Sequence, residues 1–158
     1  MVVSDLALHA GFIPALVDGF FAEWPEWCHR VGRGAVESIF ASGPQGSLPV
    51  ILVAHEADQA RGTVALRPYF GDEAMPQTPW VRQFFVFPAY RGRGVDRALA
   101  AAIERRALEM GYERLYAATN RIERLLLRRG WESFETIEHE DGPMVWLRKI
   151  IGVRLQLS

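Results

Sequence analysis

The chain has 158 residues, 49% hydrophobic and 23% charged, the size and balance of one globular domain. Its 18 basic and 19 acidic side chains leave a formal net charge of −1, so no global field draws it to nucleic acid or an anionic membrane. The single cysteine, Cys28, excludes an intrachain disulfide and a cysteine-rich metal site.

Apolar runs such as the one at residues 84–86 are far too short to span a bilayer. Residues 1–11 lack a basic segment followed by an apolar stretch, so no signal peptide and a cytoplasmic location are expected. In chain order, residues 2–8 read as a first strand. Phe12, Ile13, Leu16, Val17, Phe20 and Phe21 recur at helical spacing, and Pro25 is expected to end that helix. A second helix is expected over residues 34–41, followed by the turn-rich stretch 42–47. Residues 50–54 and 62–66 are β-rich runs around a polar turn at 56–61, which predicts an antiparallel hairpin. A loop over 71–78 leads into an apolar strand at Trp80–Val86, which stops at Pro88.

The clearest element comes next. Val95, Leu99, Ala102, Ile103, Ala107 and Met110 mark the buried face of a long helix, with Gly111 as its C-terminal cap. Residues 115–119 form a short strand. Ile122, Leu125 and Leu126 share one side of a short helix ending at Gly130. Two last strands, 131–138 and 144–150, flank the turn Asp141-Gly142-Pro143. No linker splits the chain, so a single domain over residues 1–158 is expected, with 151–158 as a C-terminal extension whose weak alternation suits an edge strand. A monomer or homodimer fits that pattern. This order implies an α/β or α+β fold, a mixed sheet with helices on its faces.

The most informative stretch is Val86-Phe87-Pro88-Ala89-Tyr90-Arg91-Gly92-Arg93-Gly94-Val95. An apolar strand ends, a glycine-bearing basic turn follows, and a long amphipathic helix begins at once. Helix N-termini leave backbone N–H groups unpaired and carry partial positive charge, so they bind phosphate. Gly92 and Gly94 let backbone approach an anion closely, and Arg91 and Arg93 add forked donors. The pattern predicts a phosphate or pyrophosphate site. It lacks the Lys-Ser/Thr pair of a P-loop, and a dinucleotide fingerprint fails where its third glycine would be, at Arg97. That fingerprint also wants an acid after the next strand, where Thr119 and Asn120 stand.

The segment resembles the acyl-CoA pyrophosphate loop of the GNAT acyltransferases, [QR]-x-x-G-x-[GA] after a Val-x-Pro strand end. Arg91 and Gly94 match, and Leu125–Trp131 sits where the family shows a leucine-tyrosine run ending in Gly-Phe. The element order is similar along nearly the whole chain. Trp24, Pro79 and Trp80 resemble the EW and PW dipeptides of a subgroup of amine acetyltransferases. The resemblance implies a mostly antiparallel central sheet of about six or seven strands flanked by helices. It implies acetyl-CoA as cosubstrate, an amine-bearing acceptor as partner, and acyl transfer by direct attack in a ternary complex. The strand at 80–87 is expected to splay from the strand at 115–119. Backbone of Phe84, Phe85 and Val86 is then expected to pair with pantetheine amides. Arg91, Gly92, Arg93, Gly94, Val95, Asp96 and Asn120 complete the expected acyl-CoA contacts.

Three positions depart from the family's pattern. Asp96 stands at the final [GA] position. Leu126 stands where a tyrosine often protonates the departing thiolate. Arg82 stands near the fourth-strand glutamate that serves some relatives as base, and arginine is no base at neutral pH. The substitute bases offered are His55, Glu56 and His139, with Asp72, Glu73, Glu138 and Glu140 also placed in turns. These departures leave a rival reading: a non-catalytic acyl-CoA-binding module. No pair of histidines has helical zinc spacing, so no metal is expected. Arg121, Arg124, Arg128 and Arg129 make one basic face, which reads first as solvated and otherwise as suited to a CoA 3′-phosphate or an acidic substrate. A nucleic-acid-binding reading of the Arg-Gly turn is opposed by the near-neutral net charge and by the absence of interleaved aromatics on a basic strand.

Overall fold

A computed structural model describes residues 1–68, 78–139 and 142–152, with the backbone alone at His139. Seven strands form one sheet: β1 (Val2–Asp5), β2 (Val50–Glu56), β3 (Gln59–Arg67), β4 (Trp80–Val86), β5 (Arg114–Thr119), β6 (Glu132–His139) and β7 (Gly142–Ile150). Their order is β1-β2-β3-β4-β5-β7-β6. The β1–β2, β2–β3, β5–β7 and β6–β7 pairs are antiparallel, and β4–β5 is parallel. The helices are α1 (Ile13–Glu23), α2 (Pro25–Val31), α3 (Arg33–Ser38), α4 (Val95–Glu109) and α5 (Glu123–Arg128). The chain divides into two units, Met1–Leu66 with Gln83–Ile103, and Arg67–Arg82 with Glu104–Ser158.

In the first unit, α1 buries Leu16, Val17 and Phe20 against the apolar face of β2 and β3, alongside Val53, Ala65 and Phe85. Burying side chains of this size stabilises by about 1.5–3 kcal/mol each. The first strand is shorter than expected. Leu6 turns into the core in a single 3₁₀ turn, Leu6–Leu8, while Leu8 stays exposed. Pro25 does end α1, but it also starts α2, where its missing N–H costs no hydrogen bond. Trp24 serves both helices, its N–H closing α1 on the Phe20 carbonyl at 2.8 Å. Helix α3 ends three residues before the expected boundary.

The β2–β3 hairpin is tighter than its sequence suggests. Glu56 pairs with Gln59 across Ala57 and Asp58, and Ala57 takes a positive φ of 51°. Helix α4 follows its apolar pattern: Val95, Leu99, Ile103 and Ala107 are all buried, while Ala102 and Met110 are half-buried. Its end is a Schellman cap. Tyr112 N–H bonds the Ala107 carbonyl at 3.0 Å and Gly111 N–H bonds Leu108 at 3.0 Å, with Gly111 at φ 92°.

The second unit centres on Trp80, fully buried against Trp146 and Tyr116, with ring centroids 5.2 and 5.6 Å away. Trp80 and Tyr116 are also the register pair of the parallel β4–β5 step. The Lys149 ammonium meets the Glu104 carboxylate at 2.6 Å, tying β7 to the second half of α4.

Candidate functional site

The strand-to-helix junction lies within the first unit and is built by an irregular strand. Gln83, inside β4, has a φ of 48°, a left-handed conformation uncommon for a residue with a Cβ. Beyond it, Phe84 is 38% exposed while Phe85 is buried, edge-on to Phe20 at 5.3 Å and Phe87 at 5.0 Å. Past Val86, Phe87 N–H still donates to the Arg61 carbonyl of β3 at 3.0 Å. One 3₁₀ turn at Pro88–Tyr90 then delivers the chain to Arg91.

Gly92 and Gly94 have φ values of 76° and 83°, so both need glycine for backbone reasons alone. A Cβ built on either would meet no atom within 4 Å, so the space they face is open. The first helical bond of α4 runs from Ala98 N–H to the Gly94 carbonyl at 3.1 Å. The N–H groups of the first turn, around Val95, lie ahead of that bond and mark the positive end of the helix. Val95 is buried and pins this first turn to the core, while Arg93 and Arg97 are exposed. Asp96 sits among these groups, half-buried.

Arg91 is held differently from Arg93. Its Nε donates to the Val86 carbonyl at 2.9 Å and its Nη2 to Glu23 Oε2 at 2.8 Å. Its guanidinium also lies 6.0 Å from the Phe85 ring centroid. Beside it, the Arg61 guanidinium covers the Tyr90 ring and reaches the Glu56 carboxylate.

The other candidate residues are dispersed. His55 is buried near the end of β2, two strands from β4 in the sheet order. Its Nε2 is 2.9 Å from Ser4 Oγ and its Nδ1 is 3.2 Å from the Ala57 carbonyl, and its ring packs on His9 and Phe12. Glu56 is exposed and bound to Arg61, with the N-terminal ammonium 3.9 Å away. His139 pairs through its backbone with Gly142 at the end of the β6–β7 hairpin. Asp72, Glu73 and Glu140 lie outside the described residues.

In the second unit, Asn120 is exposed just after β5, where Thr119 Oγ1 accepts the Arg121 and Ile122 N–H groups at 3.1 Å each. Leu126 lies on α5, and its carbonyl accepts the Trp131 N–H at 3.0 Å. Arg82, on β4, is half-buried, and burial lowers its pKa; burial, then the nearby Arg82 charge, lowers that of Arg67. Cys28 is fully buried in α2, and burial pushes its thiol pKa up, away from nucleophile chemistry.

Glu23 and Gln83 escaped the sequence reading. Glu23 ends α1 as an ordinary acidic residue, and only the fold brings it to Arg91, 68 positions away. A left-handed glutamine inside a strand leaves no compositional trace. Among the described residues, no three metal-ligating side chains cluster, and no helix is long and apolar enough to cross a membrane.

Residues 13–131 match the Acetyltransferase (GNAT) family, and the chain belongs to it. Acetyl-CoA is that family's cosubstrate. The fold is similar to that of an aminoglycoside 6'-N-acetyltransferase complexed with coenzyme A, at TM-score 0.79 and 16% identity over 98% of this chain and 99% of that one. It is similar to the aminoglycoside 6'-N-acetyltransferase from Enterococcus faecium, at TM-score 0.78 and 16% identity over 98% and 99%. It is also similar to the ribosomal-protein-alanine N-acetyltransferase from Brucella melitensis, at TM-score 0.63 and 18% identity over 95% and 99%. No curated protein matches the chain in sequence.

Proposed function

We propose that the protein transfers an acetyl or related acyl group from acyl-CoA to an amine, by direct attack in a ternary complex. One observation carries this reading: two left-handed glycines open a cradle at the positive end of α4, with no atom where their side chains would be. A pyrophosphate fits that cradle in charge and space. The N–H groups from Gly92 to Arg97 and the Arg93 guanidinium would hold it. Backbone of Phe84, Phe85 and Val86 would pair with the pantetheine arm as an added strand does.

The bound cosubstrate supplies an activated thioester carbonyl. The chain's part is to fix that carbonyl and meet the charge that grows on its oxygen. The kink at Gln83 supports this role, because it takes the β4 backbone out of regular strand geometry beside Phe84. A preset N–H donor of this kind is worth about 3–4 kcal/mol in acyl transfer. His55 lies two strands from β4 in the sheet order and is held by Ser4 and the Ala57 carbonyl, which favours water as acceptor of the amine's proton. Leu126 offers no acid, and none is required, because a thiol of pKa about 8.5 leaves as thiolate without one.

Arg82, half-buried where some relatives carry a glutamate, favours a second reading, an acyl-CoA-binding module without turnover. The deciding experiment is a thermal titration with acetyl-CoA, followed by a thiol-release assay on an amine panel. Aminoglycosides and ribosomal-protein alanine head that panel, because they are the acceptors named for similar folds. A stabilised fold and thiol release on an amine support the enzyme. Stabilisation with no thiol release on any amine supports the binding module. Gly94→Val should abolish the stabilisation and cost the apo fold about 1–2 kcal/mol for a β-branched residue at positive φ.

A further inference from the structure

We propose that Arg91 is a positioning residue of the turn, not a ligand of the pyrophosphate, and that Glu23 on α1 makes it so. The inference rests on the acyl-CoA reading above and departs from it only in the role of this one arginine. Three anchors hold the guanidinium: the Val86 carbonyl at 2.9 Å, the Glu23 carboxylate at 2.8 Å and the face of Phe85 at 6.0 Å. They come from the end of β4, the last turn of α1 and the core beneath the turn.

Arginine delivers two donors in fixed, diverging directions, which is how one side chain spans a carbonyl and a carboxylate. An exposed arginine otherwise samples many rotamers, and two charge-assisted bonds remove that freedom before any ligand arrives. The Glu23 carboxylate also offsets the Arg91 charge locally. The positive field offered to an anion therefore comes mainly from Arg93, Arg97 and the head of α4, while Arg91, also exposed, has its charge offset by Glu23. Arg91 sets where the turn begins; Arg93 binds.

A staple and a phosphate ligand respond differently to substitution. Lysine keeps the charge of Arg91 but cannot fork between Val86 and Glu23, so Arg91→Lys should weaken CoA roughly 10-fold. That loss should be equal at about 50 mM and about 200 mM salt, because no phosphate contact is removed. Arg93→Ala should instead weaken CoA mainly at low salt, flattening the salt dependence. Calorimetry with CoA on the wild type and both variants reads these effects. In the apo protein, the Arg91 Nε–H signal in nitrogen-15 NMR should exchange slowly, and Glu23→Ala should make it exchange faster, yet still more slowly than that of Arg93, because the Val86 carbonyl still accepts from Nε.

The proposal is overturned if Arg91→Lys retains wild-type affinity, if Glu23→Ala tightens CoA, or if the apo Nε–H of Arg91 is unprotected. A wild type that binds no CoA while its Arg91 Nε–H stays protected sinks the acyl-CoA reading and leaves the staple in place.

Discussion

The Arg61 guanidinium lies over the Tyr90 ring, 4.6 Å from its centroid, while the Tyr90 hydroxyl donates to the Gln59 side chain at 3.2 Å. This stack holds the residue that immediately precedes Arg91 against β3. A partly desolvated cation–π contact is worth about 1 kcal/mol. Tyr90→Phe keeps the ring and should stay within about 0.5 kcal/mol of wild type. Tyr90→Ala should lose about 1–2 kcal/mol and also weaken the thermal protection given by acetyl-CoA, since the turn loses its support. Equal melting temperatures for Tyr90→Ala and wild type would remove the stack from the account.

Gly62 makes a second test of how the site is supported. A Cβ there would sit 2.6 Å from the Phe85 carbonyl oxygen and 3.1 Å from Leu99 Cδ1. The first of these atoms is backbone, so Gly62→Ala must push β4 itself. We expect a loss of about 1–3 kcal/mol, some 2–9 °C in melting temperature, together with weaker CoA binding. Gly19→Ala is the control. Its Cβ meets the Phe87 ring at 2.7 Å and the Phe85 ring at 3.0 Å, and those rings have more freedom to shift. A larger loss for Gly19→Ala than for Gly62→Ala would contradict this ranking.

Residues whose signal is local were legible in the sequence. Helix α4 was readable from Val95, Leu99, Ile103 and Ala107, because a 3.6-residue period and a capping glycine are both short-range features. The Gly92–Gly94 turn was readable for the same reason. Pro25 carried an ambiguous signal, since proline stops one helix and starts another equally well. The staple was not readable, because Glu23 and Arg91 meet only after α1 has packed on β4. The Gln83 kink was not readable either, because nothing about glutamine announces a positive φ.

Cys28 supplies a pH-dependent prediction. Burial raises its thiol pKa above the reference value of 9.0, so the folded chain holds this proton more tightly than the unfolded one. The associated stability is therefore complete below pH 9.0 and declines as pH rises toward the folded value. Urea titrations across that range should show a falling midpoint, with part of the slope absent in Cys28→Ala. Native Cys28 should also resist iodoacetamide near pH 8 and react once the chain unfolds. Rapid alkylation of the folded protein would contradict the burial argument.

Asp96 is the one acidic residue in the first turn of α4, and it has two opposite effects. A carboxylate there stabilises the helix through the backbone N–H groups and the dipole, by about 0.3–1 kcal/mol. A pyrophosphate seated on the same N–H groups would share a small volume with it. At an effective dielectric of about 20 and a separation of about 5 Å, that repulsion is roughly 3 kcal/mol before salt and relaxation reduce it. Asp96→Asn keeps the shape of the side chain and removes the charge. The apo protein should therefore melt slightly lower, by about 1–3 °C, while CoA binds about 10-fold tighter. The tightening should shrink as salt is raised from about 50 mM to about 200 mM, because screening weakens the repulsion in the wild type. Calorimetry and thermal melts on the same two proteins read both signs. An unchanged or weaker affinity at both salts would place the Asp96 charge away from the pyrophosphate, leaving it only its part in the helix.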